Sequence, residues 1–405
     1  MIIKIAFKNI WRNSLRSWTV IIAITLGIFG GLAVISTATG LSKMRQNNAI
    51  ETYISHLQIH DTNFLQFSRI NDTIPQKAEL ISYLNSSELV DGVSKRIKTE
   101  SFIQSAGGTS GVILNGISPD NEKNVTRIYQ KLNHGNYFQK HKRKPPIILS
   151  QILSTKLKAK INTTVQCSFV NSYGESVVCV FKVIDIFQTS NSLYDEVNAF
   201  VKMEDLKAYA KLTGIHEIAV KLEDESNVET FRNELISKFP NHQIDSWRGI
   251  APELGYADKM MNLILIIFLI IIMLALAFGI INTMLMAVLE RKKELGMLLS
   301  IGMNKKKVFG MIIWESVFLA LLSGPLGLLC SYIAITTFAK KGIDLSFAAS
   351  GLRSVGIEST IYPYVENRFY YIISILVILT AILSSLYPAI KALKLNPSET
   401  LRTAN

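Results

Sequence analysis

Residues Glu290–Lys307 read ERKKELGMLLSIGMNKKK, and this stretch decides how the chain is organised. Met260–Leu289 precedes it, 30 residues without a charge. Val308–Ala339 follows it, 32 residues whose one charge is Glu315. Apolar runs of about 20 residues are long enough to cross a bilayer as helices. The stretch between them carries Arg291, Lys292, Lys293, Lys305, Lys306 and Lys307. Short loops rich in Lys and Arg stay on the cytoplasmic side. Leu295, Met297, Leu298, Leu299 and Ile301 lie between the charged ends and predict a short helix with one apolar face. A soluble partner in the cytoplasm can grip that face.

Composition agrees with a membrane protein. The 405 residues are 49% hydrophobic and 18% charged, with a mean hydropathy of +0.27. Of the net charge of +12, residues 1–16 supply +4, residues 290–307 supply +4 and residues 391–405 supply +2. Charge placed at the borders of hydrophobic runs is the pattern of topology and anionic headgroups, and argues against a nucleic-acid partner. Membrane lipids are the expected contact.

The fold class expected is therefore an α-helical membrane protein with four transmembrane helices and an α+β extracytoplasmic domain between helices 1 and 2. Residues 1–16 hold Lys4, Lys8, Arg12 and Arg16 on one helical face and predict a cytoplasmic interfacial amphipathic helix. Residues 17–42 are 26 uncharged residues, too long for a signal h-region of ~7–15, and predict transmembrane helix 1. Residues 43–259 predict the outer domain, 260–289 helix 2, 290–307 a cytoplasmic coupling helix, 308–339 helix 3, 340–368 an outer loop, 369–390 helix 4 and 391–405 a cytoplasmic tail. A 30-residue helix is about 45 Å long against a hydrocarbon core of about 30 Å, so helices 1 and 2 are expected to continue outward as a stalk.

Within 43–259, strand patterns fall at His56–His60, Gly111–Ile117, Ile147–Ser150, Thr164–Asn171, Ser176–Phe187 and Glu217–Leu222. Helical patterns fall at Pro75–Leu84, Glu122–Leu132, Ile152–Leu157, Met203–Leu212 and Val228–Phe239. Ser172-Tyr173-Gly174 turns the chain into a hairpin whose register sets Cys167 against Cys179. Either a cross-strand disulfide or two buried free thiols fits that placement. Cys330 reads as a small buried hydrophobe in an apolar run. His56 and His60 read as strand, which does not hold them as a helical metal pair. No Walker A, HExxH or GxSxG motif occurs, so no reactive set or ATP site is expected in the chain itself.

In helix 3, Gly324-Pro325-Leu326-Gly327 permits close helix packing and a kink. Glu315 lies one to two turns inside the same run. An intramembrane carboxylate is a functional candidate, but its shallow depth also suits pairing with a Lys or Arg at the interface.

Gly279-Ile280-Ile281-Asn282-Thr283-Met284-Leu285-Met286 leads into Glu290-Arg291-Lys292-Lys293-Glu294-Leu295-Gly296-Met297-Leu298 and then Ser300-Ile301-Gly302-Met303. These residues resemble the N-t-l-x-x-x-v-x-E-R-x-x-E-I-G-x-x-x-A-x-G signature of FtsX-like ABC permeases. That set includes lipoprotein-releasing permeases, MacB-type efflux proteins and FtsX. Pro388-Ala389-Ile390-Lys391-Ala392 with Asn396-Pro397-Ser398-Glu399-Thr400-Leu401-Arg402 is similar to their C-terminal P-A-x-x-A-x-x-x-x-P-x-E-x-L-R, and Ala6–Arg12 also fits. Gly111–Pro119, Leu132–Gly135 and Pro146–Ser150 are similar to the lipoprotein-releasing branch. The hairpin at Phe169–Val177 lacks that branch's proline-bearing hook.

The resemblance implies a dimer of four-helix permeases, with an identical or homologous second subunit, docked on a cytoplasmic ABC ATPase dimer that alone binds ATP and Mg. It implies ATPase coupling through Glu290, Arg291, Glu294, Leu295, Gly296, Leu298, Leu299 and Gly302, and a family acidic position at Glu315. It implies no cofactor in this chain and an ATPase on a separate chain. The expected work is release of lipoproteins from the bacterial inner membrane, with lipoprotein cargo and a periplasmic carrier as partners. The alternatives are MacB-like efflux of peptides or antibiotics, and an FtsX-like scaffold regulating a cell-wall hydrolase.

Overall fold

The computed structural model describes residues 2–75, 77–138, 144–354 and 358–394. His141 and the Asn396–Arg402 motif lie outside the described residues. The chain forms two compact units, one of Met1–Ser42, Asp258–Asp344 and Thr360–Asn405, the other of Lys43–Ala257 with Leu345–Ser359. Residues 340–368, expected as one outer loop, are thus divided between them. Lys131 Nζ lies 2.9 Å from Glu358 Oε1 within the second unit.

The first unit is helical. A short N-terminal helix, Ile2–Arg12, precedes a first long helix, Ser14–Ala49, which ends in a π-helical turn at Ile50–Ile54. The second long helix is Pro252–Glu290, the third Lys305–Lys341 and the fourth Asn367–Leu393. All four are long and apolar enough to cross a membrane. The first and second are longer than the spans expected at 17–42 and 260–289. Ile24, Ile28 and Leu32 of the first helix are buried among Met273 and Ile280, Leu319 and Ala320, and Val377 and Ala381. A Cβ on Gly327 would lie 2.8 Å from Cβ of Ile28, so the first and third helices meet at a position that needs glycine. Among the described residues nothing lies within 4 Å of a would-be Cβ on Gly324. Pro325 is accommodated inside the helix. Cys330, expected to be buried, is exposed on the same helix.

The second unit is built on a nine-stranded mixed sheet in the order β3-β7-β4-β6-β5-β2-β8-β1-β9. The strands are β1 Leu57–His60, β2 Val90–Ser105, β3 Gly108–Ile117, β4 Pro146–Ser150, β5 Thr164–Val170, β6 Ser176–Phe187, β7 Asn198–Lys202, β8 Glu217–Leu222 and β9 Gln243–Ser246. Along β4, Ile147 and Leu149 enter the main core while Ile148 enters a smaller cluster with Phe187 and Phe200, so apolar side chains cover both faces there. β2, β7 and β9 were not expected from the sequence. β2 is the longest strand, but its Lys95, Arg96, Lys98 and Glu100 hide the apolar alternation. The helix expected at Glu122–Leu132 is instead a short turn of helix at Pro119–Glu122 and a 3-10 turn at Ile128–Lys131.

Both stretches contribute to one buried ionic cluster. Arg96 is buried, with its Nη2 2.6 Å from Glu122 Oε1 and its Nη1 2.6 Å from Glu217 Oε1. Its Nη1 also donates to the Tyr53 carbonyl at 2.9 Å. Ser94 and Thr126 hydroxyls donate to Glu122 at 2.6 and 2.7 Å, and Lys98 pairs with Glu217. Glu122 closes the helical turn Pro119–Glu122 with its carboxylate held in this cluster. Burial pushes Glu217 up, but Lys98 and Arg96 outweigh it and hold the carboxyl at about 2. Burial lowers His60 to about 4 despite Glu217 beside it.

The β5–β6 register pairs Cys167 with Cys179. Asn171 Oδ1 accepts from the Tyr173 and Glu175 N–H groups, and Gly174 takes φ +81° to close the turn. The cysteines are two free thiols, not a disulfide. Cys179 Sγ donates to the Cys167 carbonyl at 3.3 Å, and burial pushes the Cys179 thiol up to about 12.

Two tests follow from this packing. Gly327→Leu is expected to lower stability by about 1–3 kcal/mol through overpacking against Ile28, while Gly324→Ala is neutral; thermal denaturation in detergent checks both. Glu217 titrates below its ordinary 4.5 in the folded chain, so its stabilisation is present above pH 4.5 and lost as pH falls towards 2. Thermal melts across that interval should fall less steeply for Glu217→Gln, which is also less stable at pH 7.

Candidate functional site

The connector folds as a helix, Lys292–Ser300, joined to the second long helix at Arg291. Its C-terminus closes with the Met303 N–H on the Leu298 carbonyl and the Gly302 N–H on the Leu299 carbonyl. This Schellman pattern puts Gly302 at φ +89°, a conformation that favours glycine. Asn304 then caps the third long helix by accepting from the Lys306 N–H.

The single apolar face expected on the connector is split in two. Leu295 and Gly296 are buried and Leu299 packs against the helical core. Met297 and Ile301 stand 47% and 85% exposed. Each pair is spaced i, i+4, so the two pairs occupy different sides of the helix. Only Met297 and Ile301, with half-buried Leu298 beside them, are presented outward.

Three ionic contacts hold this end of the unit together. Arg12 Nη2 lies 2.7 and 2.6 Å from the two oxygens of Glu294, with both side chains about half exposed. Arg16 pairs with Glu290. Arg291 Nη1 lies 3.0 Å from Glu315 Oε1, with side chains only 13% and 9% exposed. Asn9 completes the third contact: its Nδ2 donates to Glu315 at 2.6 Å, and its carbonyl accepts from Arg291 Nη2 at 2.9 Å.

Of the residues expected to couple to an ATPase, Glu290, Arg291 and Glu294 therefore face the chain's own N-terminal region or third helix. Arg12 and Arg16, expected to face headgroups, pair with connector carboxylates instead; Lys4 and Lys8 remain exposed. Asn9, Arg12 and Arg16 were not singled out for this from the sequence. The matching i, i+4 spacing of Arg12 and Arg16 and of Glu290 and Glu294 was the available signal. No group of His, Cys, Asp and Glu able to hold a metal occurs among the described residues.

Comparison with known proteins places this arrangement. The MacB-like periplasmic core domain family matches residues 17–238, and the FtsX-like permease C-terminal family matches residues 266–397. The chain belongs to the MacB-type, FtsX-like permease family. It is similar to the lipoprotein-releasing system transmembrane protein LolC of Buchnera aphidicola, at 26% identity over 98% of this chain and 97% of that one. It is also similar to the macrolide export ATP-binding/permease protein MacB of Escherichia coli, at 21% identity over 83% of this chain and 52% of that one. Among solved structures, the periplasmic region of MacB from Actinobacillus actinomycetemcomitans aligns at 12% identity with a TM-score of 0.34, covering 55% of this chain and 98% of that one. Members of this family are ABC transporter permeases, the transport subunits that work beside an ATPase and a further permease subunit.

In this permease, Arg291→Ala leaves the Glu315 carboxylate buried with no cation. The expected cost is about 3–5 kcal/mol, read as a loss of melting temperature in detergent. Arg291→Met combined with Glu315→Leu removes both charges and is expected to recover most of that loss.

Proposed function

We propose that this permease sits in the bacterial inner membrane with both termini cytoplasmic, and uses the motion of a separate ATPase to release lipid-anchored proteins. The observation that carries the reading is the end-to-end similarity to LolC, over 98% of this chain and 97% of that relative. The excess of Lys and Arg at 1–16, 290–307 and 391–405 supports a cytoplasmic side for those segments, with the Lys43–Ala257 unit on the other side. Met297 and Ile301 are then the apolar contacts offered to the ATPase, with Lys292 and Lys293 beside them. ATP and Mg are bound by that partner. A second permease subunit, identical or homologous, completes the transporter.

The energetic need is plain. Each CH₂ of an acyl anchor buried in the bilayer contributes about 0.8 kcal/mol, so a multiply acylated cargo leaves only when work is supplied. The similarity to MacB supports a second reading, efflux of a peptide or macrolide. Depleting the protein and fractionating the membranes separates the two. Release of lipoproteins predicts that they accumulate in the inner membrane on depletion. Unchanged sorting together with a new drug sensitivity would favour efflux.

A further inference from the structure

We infer that Asn9, Arg12 and Arg16 are positioning residues that bind the connector helix to the start of the first long helix, giving connector motion a second route into the unit. The inference rests on the reading of the connector as the ATPase contact. By covalent connection the connector leads only to the second long helix, through Arg291, and to the third, through Gly302. The first long helix has no such link. It is joined to the connector side by Arg16, on its own first turns, paired with Glu290 at the end of the second long helix. One turn earlier, Arg12 holds Glu294 on the connector through both carboxylate oxygens.

Each side spans a helix junction, at Asn13 and at Arg291, and the two pairs bridge both junctions, so neither can bend without straining a pair. The pairs are partly exposed, and exposed ion pairs contribute little to stability. What the contact supplies is position: Arg12 Nη2 sits between both Glu294 oxygens, so neither side can shift without losing it. The buried Asn9–Arg291–Glu315 contact anchors the same corner. The corner is stiff as well: the Ser17 hydroxyl donates to the Ile10 carbonyl at 2.6 Å, closing the break at Asn13. The N-terminal helix is backed by the third long helix, where Phe7 meets Phe318 edge to face at 5.6 Å. A displaced connector therefore carries the N-terminal helix and the first long helix with it.

The test measures distance inside the chain and needs no cargo. Cys167, Cys179 and Cys330 are replaced by serine, and spin labels are placed at Lys8→Cys and Lys293→Cys, both exposed positions. The full permease is purified with its co-purifying ATPase and examined without nucleotide and after trapping with ATP and orthovanadate. The parent is expected to show one narrow distance, the same in both states. In Arg12→Glu, like charges face each other at the Glu294 contact, and the trapped state should broaden by about 5 Å, one helical turn. Arg12→Glu with Glu294→Arg should return the narrow distance, and Arg12→Lys should fall between. A distance in Arg12→Glu that stays narrow in both states would overturn the inference. So would a parent distance that shifts on trapping, or a double swap that remains broad. Failure of the lipoprotein reading would appear separately, as unchanged sorting in cells.

Discussion

A carboxylate buried among packed helices must have a cation and donors, and one end of the helical unit meets at such a group. Glu315 meets this need with Arg291, 24 positions earlier, and with Asn9, 306 positions away. Removing an ion from water is expensive, and the cost is recovered only where the geometry is good and the remaining hydrogen bonds are made. Because Arg291 also reaches the Asn9 backbone, the contact sets where the N-terminal helix lies against the third long helix. The exposed pairs at Glu290 and Glu294 then extend the same alignment outward to the connector.

The sheet-bearing unit repeats the solution with a second buried Arg–Glu cluster. Arg96 holds Glu122 and Glu217 on one side and the Tyr53 carbonyl on the other. Tyr53 belongs to the π-helical turn that ends the first long helix, and its ring stacks on Tyr194 at 4.1 Å. Around it, Ile50 and Ile54 pack with Trp247, Ala251 and Leu254. The Tyr53 segment is thus bonded to Arg96 of β2 and packs against the Trp247–Leu254 segment.

The connector shows how one short helix serves two demands. Nine residues are enough for Leu295 and Leu299 to secure it to the helical core while Met297 and Ile301 stay outside. The glycine at 302 sets the exit angle into the third long helix.

The four apolar helices, the basic segments between them and the Tyr173 hairpin with its facing cysteines were legible in the sequence, because each depends on neighbours within a turn or a strand. Hydrophobic run length and period-2 alternation are local quantities. β2 was illegible, since Arg96 and Lys98 look solvent-facing until Glu122 and Glu217 are brought to them. The site was legible as a stretch and not as a set of partners. Residues 290–302 stood out by pattern, but Arg12 and Arg16 read as headgroup contacts, and Gly324 read like Gly327. Charge pairing and close packing are decided by segments that meet only after folding: Glu294 and Arg12 are 282 positions apart, and Gly327 meets Ile28 from another helix. Sequence alone determined the four long apolar helices and where their charged ends fall; only the tertiary structure decided which charge faces which, because a long-range contact leaves no periodic trace in either of the stretches that make it.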